Sequence, residues 1–195
     1  MNSSISKRQF EIIIAAGKIL TQSGVGGLTI KNLAKEMQFS ESAIYRHFSS
    51  KEEIIIAMLN FLAENMETRL SGLPSSDNPE QKLKILFKEQ FKFFSANPHF
   101  VVAVFSDGLM EESKKINAVI IKIMTIKMKY LLPIIKEGQQ KNIFNTTITA
   151  DELMHIVAGS FRLQMFKWRL NNFEFDIKKV GEKMAHSVLI LITNK

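Results

Sequence analysis

Leu28-Thr29-Ile30-Lys31-Asn32-Leu33-Ala34-Lys35-Glu36-Met37-Gln38-Phe39-Ser40-Glu41-Ser42-Ala43-Ile44-Tyr45-Arg46-His47-Phe48-Ser49-Ser50-Lys51 is the stretch whose reading decides the fold. Thr29 is a good helix N-cap, and Ile30, Leu33, Ala34 and Met37 follow at the spacing of one helical face. Gln38-Phe39 leaves room only for a tight turn. Ser40 then caps a short helix reaching about His47. Ser50-Lys51-Glu52-Glu53 is a capping box that opens a long helix to about Leu70.

Upstream, Phe10, Ile13, Ile14, Gly17 and Leu20 recur at helical spacing, which predicts a first helix over about 5–22 with those residues turned inward. Ser23-Gly24 ends it, Gly24 taking the left-handed conformation. Three short helices followed by a capped long one is the layout of a helix-turn-helix reader of DNA. Its second helix crosses the sugar-phosphate backbone and its third enters the major groove. The pair must be braced from behind, here by Leu33, Ala34, Phe39, Ile44 and Phe48. The outward side of the third helix is Ser40, Glu41, Ser42, Ala43, Tyr45 and Arg46, short or polar residues that permit close approach to base edges.

The run from Leu28 to Met37, then Ser40 through Tyr45-Arg46-His47-Phe48, then Ser50-Lys51-Glu52, resembles the DNA-binding domain of the TetR family of repressors over about residues 8–60. The Tyr-x-His-Phe-x-x-Lys arrangement is the most distinctive part. The resemblance implies roles. Thr29 bonds a phosphate at a helix N-terminus. Tyr45 and His47 hold the DNA backbone, and Lys51 reaches a phosphate. Lys31, Glu41, Ser42 and Ala43 stand where family members meet base edges, with Ser40 at the helix start. Glu41 can accept from a cytosine amino group, and the Ala43 methyl can touch thymine. Arg46 contacts base or phosphate. Two positions depart from the family pattern: Gln38 occupies a turn position usually held by glycine, and Phe39 stands where a small aliphatic residue is usual. Lys7-Arg8 is read as solvated charge rather than as an arm along the phosphates.

The expected fold is all-α. An N-terminal three-helix helix-turn-helix domain (residues 1–50) is joined by a long helix to a helical effector-binding and dimerisation domain (residues 51–195). Residues 71–78, with Gly72 and Pro74, form a loop. Asn78-Pro79-Glu80 starts a helix that stops at Asn97-Pro98. A short apolar segment spans 100–110, and a long helix spans 111–141, bent at Pro133. Thr149-Ala150-Asp151-Glu152 opens a helix to about Asn171, and a last one covers 176–192. The segment Ile134 to Phe144 matches the family's helix end before the last two helices, with Asn142 where glycine is common.

Aromatic and methionine side chains recur through this half at helical spacings. Most are core, and a few suit an apolar ligand cavity. The cavity candidates are Phe91, Phe94, His99, Phe105, Met124, Met128, His155 and Arg162, with Gln164 as a further polar group. An inward-facing Arg162 would favour an acidic or polar-headed hydrophobic ligand. The last two helices are the expected homodimer interface, through Phe161, Met165, Trp168, Val180, Met184 and Val188.

The chain of 195 residues carries a net charge of +7, and seven basic against three acidic residues fall within the first 51. That concentration points to a polyanionic partner. Cysteine is absent, which excludes disulfides, thiolate nucleophiles and cysteine-bound zinc. His47, His99, His155 and His186 are scattered and offer no metal spacing, and no glycine-rich phosphate loop follows a strand. Acidic pairs such as Glu52-Glu53 and Glu111-Glu112 sit at helix starts, where carboxylates suit the helix dipole.

The expectation is therefore a non-enzymatic, cytoplasmic transcription regulator without cofactor or metal. It binds a palindromic operator in double-stranded DNA as a homodimer and is released by a small hydrophobic or amphipathic effector. Two rivals remain. One is a constitutive or partner-controlled DNA-binding regulator without an effector, and the other a helical protein of membrane surfaces or partner proteins that never meets DNA.

Overall fold

The computed structural model describes residues 5–105, 109 and 113–194, which divide into two compact units. The described secondary structure is helical, with one isolated antiparallel bridge between Phe144 and Thr193. Unit 1 takes the chain through Asn65 together with Pro98–Ile123. Unit 2 takes Met66–Asn97 and the chain from Met124 onward.

In unit 1, α1 (Lys7–Gly27) starts from a complete capping box between Ser6 and Gln9. Gly24, at φ 64°, breaks its regular geometry near the expected end, and the chain runs on in helical turns to Gly27. Ile12, Ile13, Ala16, Gly17, Ile19 and Leu20 are buried. Phe10 and Ile14, expected inward, are 40% and 50% exposed. The run from Ile12 to Ala16 is apolar at every position, so spacing alone could not choose the inner stripe. The Phe10 ring instead lies 5.4 Å from Phe61 on α4 (Lys51–Ser71).

The helices α2 (Ile30–Met37) and α3 (Glu41–Tyr45) are capped by Thr29 and Ser40, as their sequence requires. α6 (His99–Val104) begins directly after Pro98 and packs on α1. The expected course of the chain over 106–108 and 110–112, including Met110 and the Glu111-Glu112 pair, lies outside the described residues.

Unit 2 is built on α5 (Pro79–Ala96), the later part of α7 (Lys114–Gln140), α8 (Ala150–Leu170) and α9 (Ile177–Ile192). Asn78 caps α5 with Pro79 in its first turn, Thr149 and Glu152 form the capping box of α8, and Asp176 caps α9. Pro133 lies inside α7 without ending it. α9 packs chiefly against α5 and also against α8. The close approach to α5 needs Gly181, where a methyl group would stand 2.4 Å from the Phe91 ring. Gly138 likewise makes room for Phe144, which the left-handed Asn142 (φ 55°) turns back beneath α7.

Candidate nucleic-acid interface and effector region

The helix-turn-helix is held from behind by buried apolar side chains. Leu33, Ala34, Ile44 and Phe48 are buried and Phe39 is half-buried. Gln38 adopts the left-handed conformation (φ 56°, ψ 41°) that the family's glycine would take with less strain, and the Phe39 N–H donates to Ala34 O at 2.8 Å. The Phe39 ring takes the Arg8 guanidinium at 5.0 Å. Arg8 also pairs with Glu11 at 2.6 Å, so it is packed against the turn rather than simply solvated. Gln9 Nε2 donates to His47 O at 3.3 Å, and Lys18 pairs with Glu36, tying α1 to both ends of the motif.

Thr29, Lys31, Ser40, Glu41, Ser42, Tyr45 and Arg46 are exposed, and Ala43, His47 and Lys51 are half-buried. Tyr45 is 51% exposed although aromatic. α3 ends two residues earlier than expected: the Arg46 N–H bonds Ile44 O and Ser42 O, which tightens the helix end before His47. Ser40 Oγ accepts from the Ala43 N–H at 3.2 Å and shares a 2.9 Å hydrogen bond with Ser42 Oγ, so these hydroxyls begin with local partners. At the start of α4, Glu53 accepts from the Ser49 N–H at 2.7 Å, which holds its carboxyl below the usual carboxylate range. The Ser50 hydroxyl accepts from the Glu53 N–H at 3.2 Å. Lys51 is thereby fixed at the first residue of a firmly capped helix.

The eight cavity candidates are divided between the two units. His99 and Phe105 belong to unit 1. His99 is packed on Gly17 and on Phe100, and burial pulls its imidazole down to about 4. Phe91 and Phe94 are buried in unit 2, Met128 is half-buried, and Met124 is 47% exposed. His155 is exposed on α8, its Nδ1 2.6 Å from Asp151 O. Arg162 is also exposed, which removes it as the inward cation.

The cation that does face the aromatic core is Lys127. Its ammonium stands 3.4 Å from the centre of the Phe161 ring, and Phe87, Phe91 and Phe94 surround the same ring at 5.1 to 6.1 Å. Loss of water, followed by the charge of Arg162, pulls the Lys127 ammonium down to about 7. Sequence reasoning passed over Lys127 and Gln90, although a signal existed. Ile123, Lys127 and Leu131 are spaced by four on the inner stripe of α7, and Gln90 interrupts the buried stripe Leu83, Leu86, Phe87, Phe91 and Phe94 of α5.

The dimer candidates need correction. Phe161, Met165, Trp168 and Val188 are buried within unit 2, and the Trp168 indole donates to Phe175 O at 2.9 Å. Val180 and Met184 are half-buried. The apolar residues left exposed on α8 are Ile156, Leu163, Phe166 and Leu170, with Ile190 and Leu191 on α9. Both faces of these helices carry apolar residues, so composition could not tell which one lay inside.

No helix among the described residues is long and apolar enough to cross a membrane. The family model described as bacterial regulatory proteins, tetR family, matches residues 12–58, and that of the YsiA-like protein, C-terminal region, matches 57–192. The nucleoid occlusion factor SlmA of Aliivibrio fischeri (strain MJ11) is 28% identical over 161 residues, covering 79% of this chain and 82% of that protein. The fatty acid degradation regulator FadR of Bacillus halodurans shares the fold, with a TM-score of 0.81 at 18% identity over 96% of this chain and 97% of its own. FadR of Bacillus subtilis, solved in complex with stearoyl-CoA, gives 0.72 at 16% identity over 92% and 97%.

Proposed function

Since this chain belongs to the tetR family of bacterial regulatory proteins and is a DNA-binding transcription regulator, we propose that it is a ligand-released repressor, acting in the cytoplasm on a palindromic operator. The observation that carries this reading is the exposed face from Ser40 to Arg46, polar outside and braced by buried Ile44, Leu33 and Phe48 behind. Residues 1–50 read DNA in this proposal, and residues 51–195 bind effector and partner.

Thr29, Tyr45, His47 and Lys51 hold phosphates, while Lys31, Ser40, Glu41, Ser42 and Ala43 face base edges and Arg46 serves either. The homodimer forms through α8 and α9. Ile156, Leu163, Phe166 and Leu170 stand at positions i, i+7, i+10 and i+14, one stripe along α8, and Gly159 on that stripe has open space around it. Two reading heads related by a two-fold axis meet half-sites roughly 34–36 Å apart. The effector is a small hydrophobic or amphipathic molecule, a reading supported by the stearoyl-CoA complex of the Bacillus subtilis relative. Its binding shifts the population away from the DNA-competent state, with a coupling of about 1–3 kcal/mol.

The test is selection of bound duplexes from a random pool by the purified protein. The expected result is an inverted repeat whose affinity falls on adding effector. Enrichment of no sequence overturns the reading.

The relative named as a nucleoid occlusion factor favours a second reading, a constitutive or partner-controlled DNA-binding regulator without a small-molecule effector. Operator affinity indifferent to every ligand that binds the protein would select it.

A further inference from the structure

Arg8 and Gln9 stand side by side in the first turn of α1 and reach the chain on opposite sides of α3. The Arg8 guanidinium lies over the ring of Phe39, one residue before the N-cap Ser40. The Gln9 Nε2 donates to the carbonyl of His47, one residue after the C-cap Arg46. One turn of α1 thus holds the recognition helix at both of its ends.

A helix of five residues does not fix its own orientation. Ile44 is the buried residue of α3, and a single buried side chain sets where a helix lies better than how it is turned. Contacts at both ends stop rotation about that pivot. Both contacts arrive already oriented. Gln9 Oε1 accepts from the Ser6 N–H at 3.0 Å, and the Gln9 N–H donates to Ser6 Oγ at 3.2 Å, so the amide is aimed by the cap of α1. A glutamate would complete the same cap but has no donor for a carbonyl. Arg8 is steadied by Glu11, and its seat is the half-buried aromatic ring at the position where the family pattern has a small aliphatic residue.

We propose that Arg8 and Gln9 are positioning residues that set the rotation of α3 in the major groove, and with it the preference of the protein for one base sequence over others. This rests on the reading of α3 as the groove-entering helix. Arg8 acts through Phe39 and not by holding a phosphate. Gln9 acts through the backbone of His47.

The test uses the full-length protein, the duplex that wild type selects from a random pool, and a scrambled duplex of equal length. Anisotropy across a salt series gives both affinities, and circular dichroism gives the melting temperature. Phe39→Leu removes the ring without changing charge, and Gln9→Glu keeps the cap while deleting the donor. Each is expected to lower the ratio of selected to scrambled affinity about fivefold. Their melting temperatures are expected within about 4 °C of wild type. The charge added by Gln9→Glu acts on both duplexes alike, so the ratio is insensitive to it. Arg8→Met is expected to lower the ratio similarly and to leave the salt slope within about half a unit of wild type. Arg8→Met combined with Phe39→Leu is expected to cost no more than either alone, because the two break one contact. Phe39→Tyr and Arg8→Lys are expected to restore most of the preference.

An undiminished ratio in Phe39→Leu and Gln9→Glu would overturn the proposal and leave the groove reading standing. A salt slope reduced by about one unit in Arg8→Met, with the ratio kept, would make Arg8 a phosphate contact and overturn its part. Equal losses on both duplexes together with a lowered melting temperature would reduce both residues to a purely structural role. A wild type that enriches no duplex would overturn the groove reading and this proposal with it.

Discussion

Gly17 on α1 faces the imidazole of His99 on α6 so closely that a methyl group there would stand 2.9 Å from two of its ring carbons. The histidine ring is rigid and pressed against Phe100 at a centroid distance of 4.2 Å, so it has little room to retreat. Gly17→Ala is therefore expected to destabilise the fold by about 1–3 kcal/mol, despite the better helix propensity of alanine. Thermal unfolding followed by circular dichroism would register the loss. An unchanged or higher melting temperature would mean that α6 does not rest on α1 in this way.

The same contact has a signature in pH. Burial holds His99 at about 4, against 6.5 for an unperturbed imidazole. Between those values the unfolded chain takes up a proton that the folded one refuses, so the contribution of His99 to stability is complete above pH 6.5 and declines as pH falls toward 4. Replacing His99 by Leu is expected to flatten this part of the curve of melting temperature against pH. A slope identical to wild type would remove His99 as its source.

On the DNA side, charge and base contacts separate experimentally. Lys51→Ala is expected to weaken binding by a similar factor on all duplexes and to reduce the salt slope by about one unit. Glu41→Ala is expected to relax preference at a single base pair, with a loss of about 1–3 kcal/mol of discrimination there. Fluorescence anisotropy across a salt series on operator and scrambled duplexes measures both. A base-specific effect from Lys51→Ala would reverse the assignment.

The exposed stripe on α8 and α9 bears on assembly. Leu163→Glu and Leu191→Glu, at positions 67% and 77% exposed in the protomer, are expected to leave the fold intact and produce monomers. Light scattering would report the mass, and operator affinity would fall with it, because a single reading head binds weakly. Dimers surviving both changes would place the interface elsewhere.

Much of this was legible in the residues, and the reason is local chemistry. Thr29, Ser40, Asn78 and Thr149 all cap the helices that their side chains announced. Gln38 takes the left-handed turn despite its side chain. What local chemistry could not supply was the choice between two apolar faces of one helix. Phe10 and Ile14 on α1, and Phe161 and Trp168 on α8, were misjudged for that reason, since the face that turns inward is set by distant partners such as α5 and α6. Lys127 and Gln90 were overlooked because polar residues in an apolar stripe are easily read as interruptions rather than as contents.

The pairing of α9 with α5 also has a consequence in time. α5 is complete at residue 96 and α9 starts at residue 177, so a ribosome adding about 5–20 residues per second leaves the Phe87 and Phe91 side of α5 without its cover for roughly 4–16 seconds. During that interval the nascent chain shows an adhesive aromatic surface. Each newborn copy is thus most vulnerable to aggregation before its closing helix has been made, and holdase chaperones have their opening there.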